Sequence, residues 1–206
     1  MTEPEKPKLA IFDLGNVVFH VDWQPMIVLW SELTQVPADV LGSRFGVDES
    51  LEAFERGQLS PREFHRRLCA RLGVELSYPD FERGWNAIYL GVADGIDVVL
   101  RRLRRELRVV AFTNTNEVHC RVWPALYRDV LASFERVFVS SEMGTRKPEP
   151  QGFLQILDHY GVEPGDALFF DDNPEFVDGA RSLGIRAVLV DSPGAVRATL
   201  ETLGLL

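Results

Sequence analysis

Five short apolar runs punctuate this chain, and each breaks off at a polar residue. LAIF (9–12) runs into Asp13, VVAF (109–112) into Thr113, VFV (137–139) into Ser140, ALFF (167–170) into Asp171 and AVLV (187–190) into Asp191. Runs of this length without polar alternation predict strands buried on both faces. Helix-length segments such as 148–160 and 174–183 lie between the later runs. Strands alternating with helices predict a parallel sheet covered on both sides. Ligands of such sheets sit beyond the carboxyl ends of the strands, so the terminal polar residues are expected to gather there as a site.

Between about 24 and 90 the period changes. Met26, Ile27, Trp30 and Leu33 keep helical spacing, as do Phe64, Leu68 and Leu72, and then Phe81, Trp85 and Ile88. Ser60-Pro61-Arg62-Glu63 has the form of a capping box with proline at the first helical position, and Ser77 with Asp80 repeats it. No strand is predicted in this interval. An all-helical insertion beside the reactive edge would exclude water and read the substrate. The expected organisation is a core of residues 1–22 and 91–206 with a helical cap of residues 23–90.

Composition narrows the function classes. A chain of 206 residues, 46% hydrophobic and 26% charged, can bury a full core in a soluble protein. The net charge of −9 speaks against a nucleic-acid surface and against anionic membranes. RRLRREL (101–107) is the local exception. Ile96, Val99, Leu100, Leu103 and Leu107 keep helical spacing through it, so its arginines read as a solvated outer face. The start MTEPEKPK lacks the apolar segment of a signal peptide, and no run approaches the length of a membrane span. Cys69 and Cys120 fit neither a disulfide framework nor a zinc pattern. A cytoplasmic monomer is expected.

A carboxylate at the end of a buried strand is costly unless something uses it. Asp13, Thr113-Asn114, Lys147 and Asp171-Asp172 follow one another at successive strand ends. Singly, each has an ordinary reading as a turn residue, a helix cap or a solvated lysine. Jointly, FDLGNVVF, FTNTN, GTRKPEP and FFDDNPEFVDGA resemble, in order, the four motifs of the haloacid dehalogenase superfamily of phosphohydrolases. FERGQLS, GW, WP and MGTRKPE narrow the resemblance to its bacterial α-D-glucose-1-phosphate phosphatases.

The resemblance implies an α/β fold, a Rossmann-like doubly wound parallel sheet with an all-helical cap inserted after the first strand. It also implies hydrolysis of a small phosphorylated metabolite. Asp13 would be the nucleophile that forms an aspartyl-phosphate. Mg²⁺ would be held by Asp13, Asp172 and the backbone carbonyl of Gly15, with Lys147 supplying a second positive charge. The Thr113 hydroxyl and backbone N–H groups at Asn114 would hold the phosphoryl oxygens. Asp171 would orient Lys147 or a metal-bound water, beside Asn173 as a helix cap. One position departs from the pattern. Gly15 stands where most phosphatases of the superfamily carry a second aspartate as general acid and base, so only the backbone role survives there.

Asn16 or His20 are candidates to replace that acid, whereas His65, His119 and His159 read as packing or surface residues. Phe54, Glu55, Arg56, Trp85 and Asn86 are candidates to face the substrate from the cap, with Arg56 clamping a hydroxyl-rich or anionic group. Two alternatives stand beside the phosphatase: a metal-independent 2-haloacid dehalogenase and a non-catalytic scaffold that binds a phosphorylated ligand. Dehalogenases also lack the second aspartate, but they have no need for the carboxylate pair Asp171-Asp172.

Overall fold

The computed structural model describes residues 6–192 and 194–206; the polar start at 1–5 lies outside them. The strands are β1 (Leu9–Phe12), β2 (Phe19–Val21), β3 (Tyr89–Val92), β4 (Arg108–Thr113), β5 (Arg136–Val139), β6 (Ala167–Asp171) and β7 (Arg186–Leu189). Five of them form a sheet in the order β5-β4-β1-β6-β7, parallel throughout. Each apolar run of the sequence is thus a strand, and the period of two explains why none alternates. Leu9 and Ile11 enter one core while Ala10 and Phe12 enter the other, so all four residues of β1 are buried.

On one face, helix Ile96–Leu103 and the helix Ala195–Thr202 bring Val99, Leu100, Val196 and Leu200 to the sheet. On the other, the helices Pro150–Tyr160 and Pro174–Ser182 bring Phe153, Ile156, Val177 and Ala180. Helices on both faces make the sheet doubly wound. The spacing through RRLRREL ends earlier than expected: the helix stops at Leu103, and Leu107 packs half-buried beyond it.

The cap consists of α1 (Gln24–Thr34), α2 (Ala38–Arg44), α3 (Glu49–Glu55), α4 (Pro61–Leu72) and α5 (Tyr78–Trp85). Asp48, Ser60 and Ser77 accept hydrogen bonds from Leu51, Glu63 and Asp80 backbone N–H groups and start α3, α4 and α5. Trp30, Phe64, Phe81 and Trp85 fill a separate core, with the Trp30 and Trp85 rings stacked at 6.2 Å. A Cβ on Gly84 would sit 2.0 Å from Trp30 Nε1, so only glycine lets α1 and α5 approach this closely. Leu33 keeps the helical spacing but is 40% exposed, one turn beyond the packed face.

One feature of this region was not expected. β2 and β3 pair antiparallel and bracket the cap where its chain leaves and rejoins the core. No helix among the described residues is long and apolar enough to cross a membrane.

Candidate active site

β1, β4 and β6 are neighbours, so Asp13, Thr113 and Asp171 converge at their carboxyl ends. Asp13 N–H donates to the Phe170 carbonyl at 2.8 Å, which continues the strand pairing one residue past β1. Lys147 reaches the same point from the segment that follows β5. The Asn114 side chain clamps its backbone, donating to the Lys147 carbonyl at 3.0 Å and accepting from Lys147 N–H at 2.8 Å. The ammonium, fully buried, then lies 2.7 Å from Asp13 Oδ1 and 2.6 Å from Asp171 Oδ2. The rings of Phe112, Phe169 and Phe176 surround it at 5.3–5.7 Å.

Asp171 uses its other oxygen to accept from Asn173 N–H at 2.8 Å. Asn173 in turn caps the helix Pro174–Ser182 by accepting from Glu175 N–H. Asp172 accepts from the Asn16 side chain at 3.2 Å, and Asn16 holds φ at 54° to present it.

Oxygens of Asp13, Asp171 and Asp172 lie within 4.8 Å of one another. Three carboxylates around one ammonium leave surplus negative charge. Burial pushes the Asp13 carboxyl up to about 7; Lys147 opposes the rise, and Asp171 and Asp172 add to it. Burial likewise raises Asp172, against the hydrogen bond from Asn16. Burial works against the Lys147 charge, but Asp13 and Asp171 outweigh it and hold the ammonium above its usual range. A compact set of carboxylate oxygens with excess charge fits a hard divalent cation.

The raised Asp13 carboxyl has a sign that can be measured. Its ordinary value is 3.8 and its folded value about 7, so the favourable protonated form is complete below the first and lost above the second. In chelator-treated protein, Asp13→Asn should therefore raise Tm relative to wild type by more at pH 8 than at pH 5. The expected excess is a few degrees, at about 2–4 °C per kcal/mol for a chain of this size. Thermal melts of both proteins at the two pH values check it, and an equal difference at both would contradict it.

Between this sheet edge and the cap lies a cavity of about 260 Å³. Asp13, Gly15, Thr113, Asn114, Lys147, Asp172 and Asn173 line it from the core. Val47, Leu51 and Glu55 line it from the cap, and Phe19, Val21 and Tyr89 from β2 and β3.

Residues 7–184 match the family model of haloacid dehalogenase-like hydrolases. The chain belongs to the haloacid dehalogenase superfamily. It is 29% identical over 205 residues to a phosphatase of Mycobacterium tuberculosis, covering 91% of this chain and 89% of the relative. It is 24% identical to the D-ribitol-5-phosphate phosphatase of Bacteroides thetaiotaomicron, over 86% of this chain and 88% of that one. A crystal structure of a haloacid dehalogenase family enzyme from the same organism, in complex with magnesium, superposes with a TM-score of 0.77. That pair is 26% identical, and the match covers 90% of this chain and 93% of the other.

All four superfamily motifs meet at the cavity, but five side chains expected there, those of His20, Phe54, Arg56, Trp85 and Asn86, do not line it. Arg56 does not line it. Its guanidinium is taken by Glu149 at 2.6 Å and Glu52 at 3.1 Å, which bridges the cap to the segment after Lys147. His20 is exposed and lines a separate cavity of about 450 Å³ with Asp94 and Asp191. Of the other cap candidates, Glu55 reaches the active cavity, while Phe54 and Trp85 fill the cap core and Asn86 holds His119.

Arg146 and His119 are among the lining residues that sequence reasoning did not assign to the site. Arg146 is buried and reaches across to the cap, to Glu55 at 2.8 Å and Glu52 at 3.3 Å. Its signal was adjacency to Lys147 inside GTRKPEP. His119 is buried, as a packing residue would be, yet it also faces the cavity wall.

Proposed function

We propose that this hydrolase cleaves a small phosphate monoester through an aspartyl-phosphate on Asp13. The observation that carries the reading is the Lys147 ammonium fixed between Asp13 and Asp171. A carboxylate attacking a phosphate faces like-charge repulsion, and a buried cation at 2.7 Å offsets it.

Lys147 holds Oδ1 of Asp13, and Oδ2, on the Gly15 side, is the oxygen that attacks. The Oδ2–P bond forms as the ester P–O bond breaks, and the leaving oxygen departs with its electron pair to take up a proton. Water then attacks phosphorus, which releases inorganic phosphate and restores the Asp13 carboxylate. The Thr113 hydroxyl and Asn114 N–H hold the phosphoryl oxygens during both steps. The Asn114 side chain is committed to Lys147, so its part in binding is the backbone N–H. Asp13, Asp172 and the Gly15 carbonyl would hold Mg²⁺, which when bound neutralises phosphate charge and orients the ester for in-line attack.

A cavity of about 260 Å³ lies below the range of about 300–1,000 Å³ typical of drug-sized ligand sites, which favours a small metabolite. Sugar phosphates are the class we assign, α-D-glucose 1-phosphate among them, because an anomeric oxygen leaves with least help from the acid that Gly15 lacks. Turnover of p-nitrophenyl phosphate tests the reading: EDTA should abolish it and Mg²⁺ restore it. Chloride release from 2-chloropropionate in EDTA, with no phosphatase activity in Mg²⁺, would give the site to dehalogenation instead.

A further inference from the structure

The second half of the proposed reaction has no assigned proton acceptor. Asp13 attacks from the sheet edge, and in-line displacement puts the departing ester oxygen on the opposite side of phosphorus, toward the cap. The water that opens the aspartyl-phosphate enters from that same side. Neutral water is a poor nucleophile, and Gly15 has no side chain to take its proton.

The groups that reach the cavity narrow the choice. Asp13 is tied up in its bond to phosphorus at this stage. Asp171 has both oxygens engaged, one by Lys147 and one by Asn173 N–H, and it does not line the cavity. Asp172 accepts from Asn16 and belongs to the cluster assigned to the metal. His119 keeps Nε2 buried, and burial raises the Tyr89 hydroxyl, which holds its proton. Lys147 and Arg146 carry protons rather than accept them. Among the described residues that line the cavity, this leaves the carboxylate of Glu55.

Glu55 ends α3 on the cap side of the cavity. Two contacts hold that helix end against the core. Arg146 Nε donates to Glu55 Oε2 at 2.8 Å while its Nη1 donates to Glu52 at 3.3 Å. Two residues on, Gly57 turns at φ 70°, where a Cβ would stand 2.3 Å from the Ser141 carbonyl oxygen, so only glycine lets the chain leave α3 this close to the core. Arg146 takes Oε2 alone. Oε1 makes no hydrogen bond among the described residues and is not sealed from solvent, so water in the cavity can reach it. One oxygen fixed and the other free is the arrangement of an oriented base. Burial raises the Glu55 carboxyl, with Arg146 and Lys147 opposing, so it binds a proton more firmly than an exposed glutamate does.

We infer that Glu55 is the general base of the second step. Its Oε1 takes a proton from water as the water oxygen bonds to phosphorus. The bond from phosphorus to Asp13 Oδ2 breaks, and its electron pair restores the Asp13 carboxylate. Inorganic phosphate leaves, and Glu55 passes the proton to solvent. The inference rests on the phosphatase reading and deepens it. Arg146 pairs with the carboxylate form, which has no proton to give at the start of a turnover. The first step therefore still depends on a good leaving group.

Glu55→Gln tests the inference with p-nitrophenyl phosphate in Mg²⁺, because Gln keeps an oxygen for Arg146 and loses the base. Removing a general base should lower kcat about 10²-fold or more, with KM falling alongside it, because kcat/KM reports only the steps through p-nitrophenolate release. The variant should release about one p-nitrophenolate per chain in a fast first turnover, and acid quenching should trap phosphate on the protein. Glu52→Gln loosens the same arginine from the same helix but lies outside the cavity, so it should keep kcat and KM near wild type. An unchanged kcat in Glu55→Gln, a kcat/KM that falls along with kcat, or the same fall of kcat in Glu52→Gln overturns the inference. If wild type itself releases no p-nitrophenolate in Mg²⁺, the phosphatase reading fails and the inference falls with it.

Discussion

Replacing Asp13 with Asn is expected to lower kcat by about 10⁴-fold or more while leaving the protein folded. The amide cannot attack phosphorus, so the covalent route closes rather than slows. That loss corresponds to about 5 kcal/mol or more of barrier, far beyond what a displaced side chain costs. The fold should persist because Asn keeps an oxygen to accept from Lys147, and Lys147 keeps Asp171 at 2.6 Å. The substitution also removes one of three crowded carboxylates. Phosphate release under saturating substrate, with a thermal melt alongside, measures both halves. Residual activity within tenfold of wild type would remove Asp13 from the nucleophile's role.

Gly15→Asp should act in the opposite direction. A Cβ at Gly15 would meet Val21 Cγ2 at 3.5 Å and Asp13 Oδ2 at 3.8 Å, ordinary contacts for that atom. An aspartate here would stand beside Asp13 Oδ2, the oxygen proposed to attack, and its protonated form could deliver a proton to the departing one. General acid catalysis contributes about 10²–10⁴-fold. Gains of about 10²-fold are therefore expected on alkyl phosphates such as propyl phosphate, whose leaving groups need that proton most. p-Nitrophenyl phosphate, whose leaving group needs no proton, should gain little. The ratio of the two rates isolates the effect from any change in folding or metal affinity. An unchanged alkyl phosphate rate would mean that proton delivery does not limit this enzyme.

Much of this site could be read from the chain before any coordinates. LAIF, VVAF and ALFF are legible because a strand buried on both faces has no polar interruption, and the residue that ends each run must sit at the sheet's edge. Lys147 was legible through motif order. β2 and β3 were not, since three or four residues that mix the buried Phe19 with the exposed His20 carry no period. Arg56 misled for a different reason. Its fate depends on Glu149, which approaches only when the cap lies against the core, and no local pattern encodes that distance. His119 reads as packing, and the structure does bury it; its place on the cavity wall depends on how the cap meets the core.

The central place of β1 in the order β5-β4-β1-β6-β7 governs how this molecule is made. β1 leaves the ribosome before either of the partners that its two edges need. Arg108–Thr113 follows only after the whole cap, and Ala167–Asp171 later still. LAIF thus emerges as an apolar strand with two open edges, the species most exposed to mispairing during synthesis. The cap has nearer partners: apart from Val118, its core draws on one contiguous stretch, so it has the shorter loops to close and the entropic advantage of condensing first. The charges around Lys147 come together only once β6 has delivered Asp171. Activity here reports that the chain has been synthesised through β6 and threaded into its sheet.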